Sequence, residues 1–248
     1  MEVHTDASVV LNSTDSLPFE FSQFSHRVIV ATMILIVSLV GTFGNSLVIL
    51  AVLLSMKIRT ATNAFVVNLA TADLLACLAV LFDAAALLAK DGLPFSELLC
   101  SVCAVVENVS IGCSILSLAS IAFNRLLLVT RPAIIYRKVY TPKNIAMLLA
   151  LTWLIPLFLT LLPSFLNLGD FKYDPKYHMC GSSASHPRSK AFRILVAGVL
   201  YPSLLVSIIV CYVLIWRHLR RHTKMISYTR EEPLEPITYT APPLRQLP

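Results

Sequence analysis

Four ionisable side chains, Asp73, Asp83, Glu107 and Arg125, lie inside long apolar stretches. Each costs roughly 2.5 to 3.5 kcal/mol to insert into a bilayer, so each needs a partner or a task. A carboxyl so placed holds a hard cation through its oxygens, pairs with a cationic group, or stays protonated and hydrogen-bonded. A planar guanidinium can switch between partners. Glu107, Ile111, Ser114, Leu118, Ile121 and Arg125 recur at steps of three or four and therefore share one helix face, which is expected to look into a bundle rather than at lipid. Glu107 and Arg125 are 18 residues apart, about 27 Å along a helix. One helix thus carries an acid near one end and a base near the other.

Enzymatic chemistry has no matching pattern, and the chain reads as a non-enzyme. Neither phosphate-cradling glycine motif occurs, nor does His-Glu-x-x-His, Gly-x-Ser-x-Gly or a pair of intramembrane aspartates at catalytic spacing, so no cofactor is called for. The six cysteines make no zinc pattern, their closest spacing being Cys100 to Cys103, and they offer at most one or two disulfides.

The elements that hold these residues are legible in the composition. Of 248 residues, 56% are hydrophobic and 14% charged, against about 25% charged in a soluble domain; the mean hydropathy is +0.74. The apolar residues fall into runs at 28–54, 64–89, 102–129, 145–166 and 194–216, each long enough for a membrane helix. The expectation is an all-α polytopic bundle in the bilayer, with five spans. Residues 1–26 form a polar N-terminus without signal-peptide features, 27–225 the bundle, and 226–248 a proline-rich, disordered tail with five prolines in its last sixteen residues.

The net charge of +6 suggests topology rather than nucleic acid, because the basic residues flank the runs. Ten of them (Lys57, Arg59, Arg131, Arg137, Lys138, Lys143, Arg217, Arg220, Arg221 and Lys224) fall on one side. Six (Arg27, Lys90, Lys172, Lys176, Arg188 and Lys190) fall on the other. This bias places the N-terminus outside and the C-terminus inside. Asn12, in Asn-Ser-Thr, then becomes an acceptor for N-glycosylation.

Gly44-Asn45 in the first run, Asn68-Leu-Ala-Thr-Ala-Asp73 in the second and Cys100 at the head of the third stand in a fixed order with later landmarks. These are Arg125, Trp153, Cys180 and Pro202. In this order and spacing the chain resembles the rhodopsin-like G-protein-coupled receptors over about residues 28–225. Asn124-Arg125-Leu126, where most of those receptors carry Asp-Arg-Tyr, together with the run Asn124–Pro132 and Phe171–Cys180, is similar to the melatonin receptors and the orphan receptors grouped with moody.

The resemblance implies roles for particular residues. Cys100 and Cys180 would form an outer disulfide pinning the second outer loop over a ligand pocket. Asn45, Asp73 and Ser114 match part of an internal sodium site, with a protonated, hydrogen-bonded Asp73 as the alternative. Glu107 occupies the place of a ligand-pairing acid, with Asp83 and Asn108 beside it, and either pairs with a cationic ligand or forms an internal ion pair with Arg193. Ile194, Leu195 and Gly198 stand where catechol receptors place serines, which disfavours a catecholamine. Asn124, Arg125 and Leu126 would face a heterotrimeric G protein, although Arg125 lacks the adjacent acid that locks it in most relatives. The basic run Arg217–Lys224 would extend the fifth span toward G protein or acidic lipid.

The resemblance also implies sixth and seventh spans that this sequence does not contain, so it is expected to be an incomplete receptor chain. Its function would be to pass an extracellular small-molecule or peptide signal to a G protein at the plasma membrane. The alternative is a non-signalling isoform, held in the endoplasmic reticulum, that pairs with and retains a full-length receptor.

Overall fold

A computed structural model of the chain describes residues 23–54, 60–89, 93–175, 177–182 and 187–231. Asn12 therefore lies outside the described residues, as does the tail from residue 232. The helices are α1 (Phe24–Leu54), α2 (Ala61–Leu88), α3 (Glu97–Thr130), α4 (Ala133–Val139), α5 (Pro142–Phe165), α6 (Pro187–Leu195) and α7 (Tyr201–Glu231). A hairpin of β1 (Phe171–Asp174) and β2 (Met179–Ser182) lies between α5 and α6. Five helical stretches, α1, α2, α3, α5 and Val196–Lys224, are long and apolar enough to cross a membrane. The chain is an all-α helical bundle, as its composition indicates.

Local chemistry sets the helix ends. Thr60, Ser96 and Thr141 each accept a hydrogen bond from the backbone N–H three residues on, satisfying a donor that the first helical turn leaves free. Pro142 starts α5 where a missing N–H costs nothing. Between α6 and α7 the chain makes one wider π-helical turn, Val196–Leu200, just ahead of Pro202. The proline has no N–H to give to the carbonyl four residues back, and the wider turn takes up the mismatch. Helix α7 continues to Glu231, past the expected end of the fifth span at 216 and into the tail expected from 226. The extension holds good helix formers and no proline before Pro233.

Helix α3 is the hub and packs against α2, α5, α7 and both strands, while α1 packs on α2. Without a hydrophobic driving force in lipid, helices associate through close contact at small residues and through interhelical hydrogen bonds. Both are present. A Cβ on Gly112 of α3 would lie 2.6 Å from Cβ of Pro156 in α5, so only glycine allows this approach. Asn68 of α2 donates to Ser117 Oγ of α3 at 2.8 Å and to Thr152 Oγ1 of α5 at 3.0 Å, and accepts from Trp153 Nε1 at 2.8 Å. One amide thus joins three helices. Ser38 Oγ donates to the Cys77 carbonyl at 2.6 Å and ties α1 to α2.

The described helices cover one side of α3 more fully than another. The α3 face bearing Glu107, Ile111, Ser114, Leu118, Ile121 and Arg125 does not look uniformly inward. Ile111 and Leu118 are 42% and 45% exposed, Arg125 is exposed, and only Ile121 of the six is buried. The buried stripe is instead Cys103, Ala104, Ser110, Cys113, Ser117, Ala122 and Asn124. Among them Cys113 and Ser117 bond to Asn68 of α2 and Asn124 to Thr62 of α2, whereas Ile111, Leu118 and Arg125 lie on a side that the described helices leave partly open.

Candidate functional site

At one end of the bundle, Cys100 heads α3 and is bonded to Cys180 in β2, across a sequence separation of 80 and a Cα distance of 5.3 Å. Both cysteines are buried with Ala104, under Phe171 and Tyr173. The bond draws the hairpin over the helix ends, where Tyr173 pairs with Cys180. Ser101 Oγ fixes its other edge by donating to the Phe171 carbonyl at 2.5 Å.

Beneath the hairpin, Asp83 of α2 is 3% exposed and accepts from the Cys180 backbone N–H at 2.9 Å. Glu107 of α3 stands beside it, so the structure brings the two carboxyls together under the hairpin. The side chain of Arg193 lies outside what the structure describes, and so does the ion pair expected between it and Glu107.

Asn108, the next residue on α3, points elsewhere. It donates to the Ala104 carbonyl at 2.8 Å and lines a cavity of about 200 Å3 with Leu159, Thr160, Phe171, Phe192 and Tyr201. Among the described residues no charged side chain lines this cavity, and Glu107 does not open into it. Its polar groups are an amide, hydroxyls and a phenol, set in aromatic and aliphatic walls, which suits an uncharged amphipathic molecule.

A second cluster at this end joins α1 to the hairpin. Arg27, 8% exposed, directs Nη1 to the Ala89 carbonyl at 3.3 Å and to His178 Nδ1 at 3.2 Å, and its guanidinium stands over the Phe24 ring. The Tyr173 hydroxyl is 2.9 Å from the same nitrogen. A guanidinium only donates, so His178 Nδ1 is the acceptor and the imidazole proton sits on Nε2. Burial, and then the nearby Arg27 charge, lower the His178 pKa from its ordinary value. Burial raises that of Tyr173, with Arg27 acting against it.

Midway along the bundle, Ser114 Oγ donates to Asp73 Oδ1 at 2.5 Å. Asn45 is not drawn into this pair through its amide nitrogen, which donates to the Gly41 carbonyl of its own helix at 2.9 Å. Asp73 and Ser114 supply oxygens of the kind sodium takes. Among the described residues no group of three or more His, Cys, Asp or Glu gathers as a metal site.

At the opposite end of α3 Asn124 is fully buried. Its side-chain oxygen accepts from Thr62 Oγ1 at 2.7 Å, and its nitrogen donates to the Tyr136 hydroxyl at 3.1 Å. An amide both donates and accepts, which an aspartate cannot. Asn124 therefore holds α3 to α2 and α4, while Arg125 projects into the open with neither ion pair nor hydrogen bond among the described residues. Leu126 lines a groove between α3 and α7. Nearby, Tyr140 is buried against Phe65, and burial raises its pKa.

Sequence reasoning passed over some of these residues. Arg27 counted only as a topological charge and Asn68 only as a landmark. Thr160, Phe192 and Tyr201 carry no sequence signal, being ordinary residues of membrane helices.

The sequence profile of the 7 transmembrane receptor (rhodopsin family) matches residues 44–234. The chain is 34% identical over 189 residues to the melatonin receptor type 1B-A of Danio rerio, covering 76% of this chain and 64% of that one. It is 31% identical over 212 residues to the G-protein coupled receptor moody of Drosophila pseudoobscura pseudoobscura, covering 81% of this chain and 31% of that one. It thus spans between about a third and two thirds of the length of these relatives. Squid rhodopsin superposes with a TM-score of 0.70 at 20% identity, over 86% of this chain and 58% of that one; this likeness is one of fold.

Proposed function

We propose, from the premise that the chain belongs to the rhodopsin family of seven-transmembrane receptors, that it carries the ligand-receiving and G-protein-facing parts of a signalling receptor at the plasma membrane. The single observation that supports this reading is the division of labour along α3. Its outer end carries the disulfide-hung hairpin and the cavity at Asn108, and its inner end presents an exposed Arg125 beside a fixed Asn124. Receptors of this class are not enzymes. The charge bias of the loops supports an outer N-terminus.

The cavity's lining favours a neutral amphipathic ligand over a cation, because among the described residues no charged side chain lines it and neither Asp83 nor Glu107 opens into it. Melatonin is the natural first probe, since the relatives named above include a melatonin receptor. The test is binding of radiolabelled melatonin to membranes of cells expressing the native gene product, with T160V and Y201F as cavity variants. Specific binding weakened by both variants supports the reading. Binding indifferent to both would remove the cavity as the ligand site. Asp73 and Ser114 would serve as part of a sodium site, read by the effect of sodium on the same binding and its loss in D73N.

A second reading rests on α7, whose most apolar window buries no residue. A helix so open can pack against a full-length receptor and retain it inside the cell. Co-precipitation with a longer form, immature glycans and absence from the surface would favour this reading over signalling.

A further inference from the structure

The inner ends of α3 and α7 enclose a groove of about 670 Å3, within the range of small-ligand sites. Phe123, Leu126, Leu127 and Leu214 give it an apolar floor, and Arg131, Arg217, Arg221 and His218 surround it. Residues 214, 217, 218 and 221 recur at helical spacing, so the basic groups line one stripe of α7 rather than scattering around it. Arg131, Arg217 and Arg221 are exposed, and among the described residues none of the three has an anionic partner. Arg220 is different. It turns away to stack on Trp216, 3.8 Å from the ring centroid, and does not line the groove. Trp216 is 53% exposed, and an open indole beside arginines marks the level of a membrane–water boundary.

We propose that this groove is a binding site for the polyphosphorylated headgroup of an anionic phospholipid. Guanidiniums present forked N–H donors that match phosphate oxygens two at a time, and three of them converging call for a ligand carrying several negative charges. The apolar floor continues beneath them and receives the first carbons of the acyl chains. A soluble phosphate compound would have no use for that floor, whereas a lipid already lies at this depth. Loop charge bias, part of the receptor reading, puts the groove in the inner leaflet, where such lipids reside.

The test is the full chain in nanodiscs of phosphatidylcholine containing a small fraction of phosphatidylinositol 4,5-bisphosphate, with bound lipid counted by native mass spectrometry. Formation of the Cys100–Cys180 bond, read by a thiol-reactive gel shift, serves as the check on folding. Both leaflets carry the lipid, so the result does not depend on orientation or on any G-protein response, and it can fail while the receptor reading stands. R131Q, R217Q and R221Q are each expected to lower occupancy about fivefold, and R220Q to leave it unchanged. Equal losses from R220Q and R217Q would overturn the proposal in favour of diffuse attraction to a basic helix. Phosphatidylserine binding as well as the bisphosphate would overturn the requirement for a polyphosphorylated headgroup. Displacement of a G-protein C-terminal peptide from the groove, without lipid binding, would give the groove to protein instead.

Discussion

Replacing Asn68 tests whether one amide holds three helices together. Its side chain makes interhelical bonds to Ser117, Thr152 and Trp153, at 2.8, 3.0 and 2.8 Å, and a longer one to Cys113 Sγ at 3.6 Å. Bonds of this kind in membrane helices contribute about 0.6 kcal/mol on average and about 1.7 at most. N68A is therefore expected to destabilise the bundle by about 2 to 5 kcal/mol. W153F removes one donor, and a cycle of N68A, W153F and the double variant isolates that bond from the lost ring area. Because N68A has already broken the Trp153 bond, W153F should cost less in that background than in the wild type. The expected coupling is about 0.6 to 1.7 kcal/mol. Stability is read by circular dichroism during unfolding of the detergent-solubilised chain with increasing dodecyl sulfate. Coupling below about 0.3 kcal/mol, the limit for independent sites, would refute the argument that Asn68 and Trp153 act as one unit.

Other perturbations probe other contacts. His178 accepts from Arg27 and Tyr173 only while neutral, and its lowered pKa means that its contribution is full above the ordinary imidazole value near 6.5 and is lost as pH falls through the lowered one. Hydrogen exchange of the 171–182 hairpin should rise on acidification through this window, and H178N should abolish the step; an unchanged profile in H178N would contradict the tautomer assignment. C180S opens a loop of 80 residues and frees the backbone group that Asp83 accepts from; the chain-entropy ceiling is about 4.5 kcal/mol, and a loss below about 1 kcal/mol would show that the hairpin stays in place without the bond. N124L strands Thr62 and Tyr136, at an expected cost of about 1 to 3 kcal/mol, whereas N124D keeps an acceptor for Thr62 and should cost less by the same unfolding assay. G112V drives a branched side chain into Pro156 and should cost about 1 to 3 kcal/mol by overpacking, seen as a lower melting temperature.

What the sequence disclosed was governed by length and period. Runs such as Val28–Leu54 are too long and too apolar for anything but a membrane helix, so the spans were legible. The cysteine pair and the inner Asn124-Arg125 were legible through resemblance, because their order along the chain is distinctive. Period alone identified which residues share a face of α3 without saying which way that face turns. Ile111, Leu118 and Arg125 lie on a side that the described helices leave partly open, while Gly112 and Cys113 stand where α5 and α2 approach α3. Asp83 and Glu107 were each visible as costly acids, yet their closeness depends on how α2 and α3 meet under the hairpin. The contact between Arg27 and His178 spans 151 residues of chain, and no local pattern reports such a contact.

The central claim is that the inner end of α3 signals through Arg125. The direct measurement is G-protein activation, by resonance-energy-transfer sensors for each class of Gα, in cells expressing the native gene product with and without R125A, with surface expression quantified in parallel. The account predicts a basal or melatonin-evoked signal in the wild type that R125A abolishes at equal surface expression. A signal untouched by R125A, or a wild-type protein at the surface that activates no class, would contradict it.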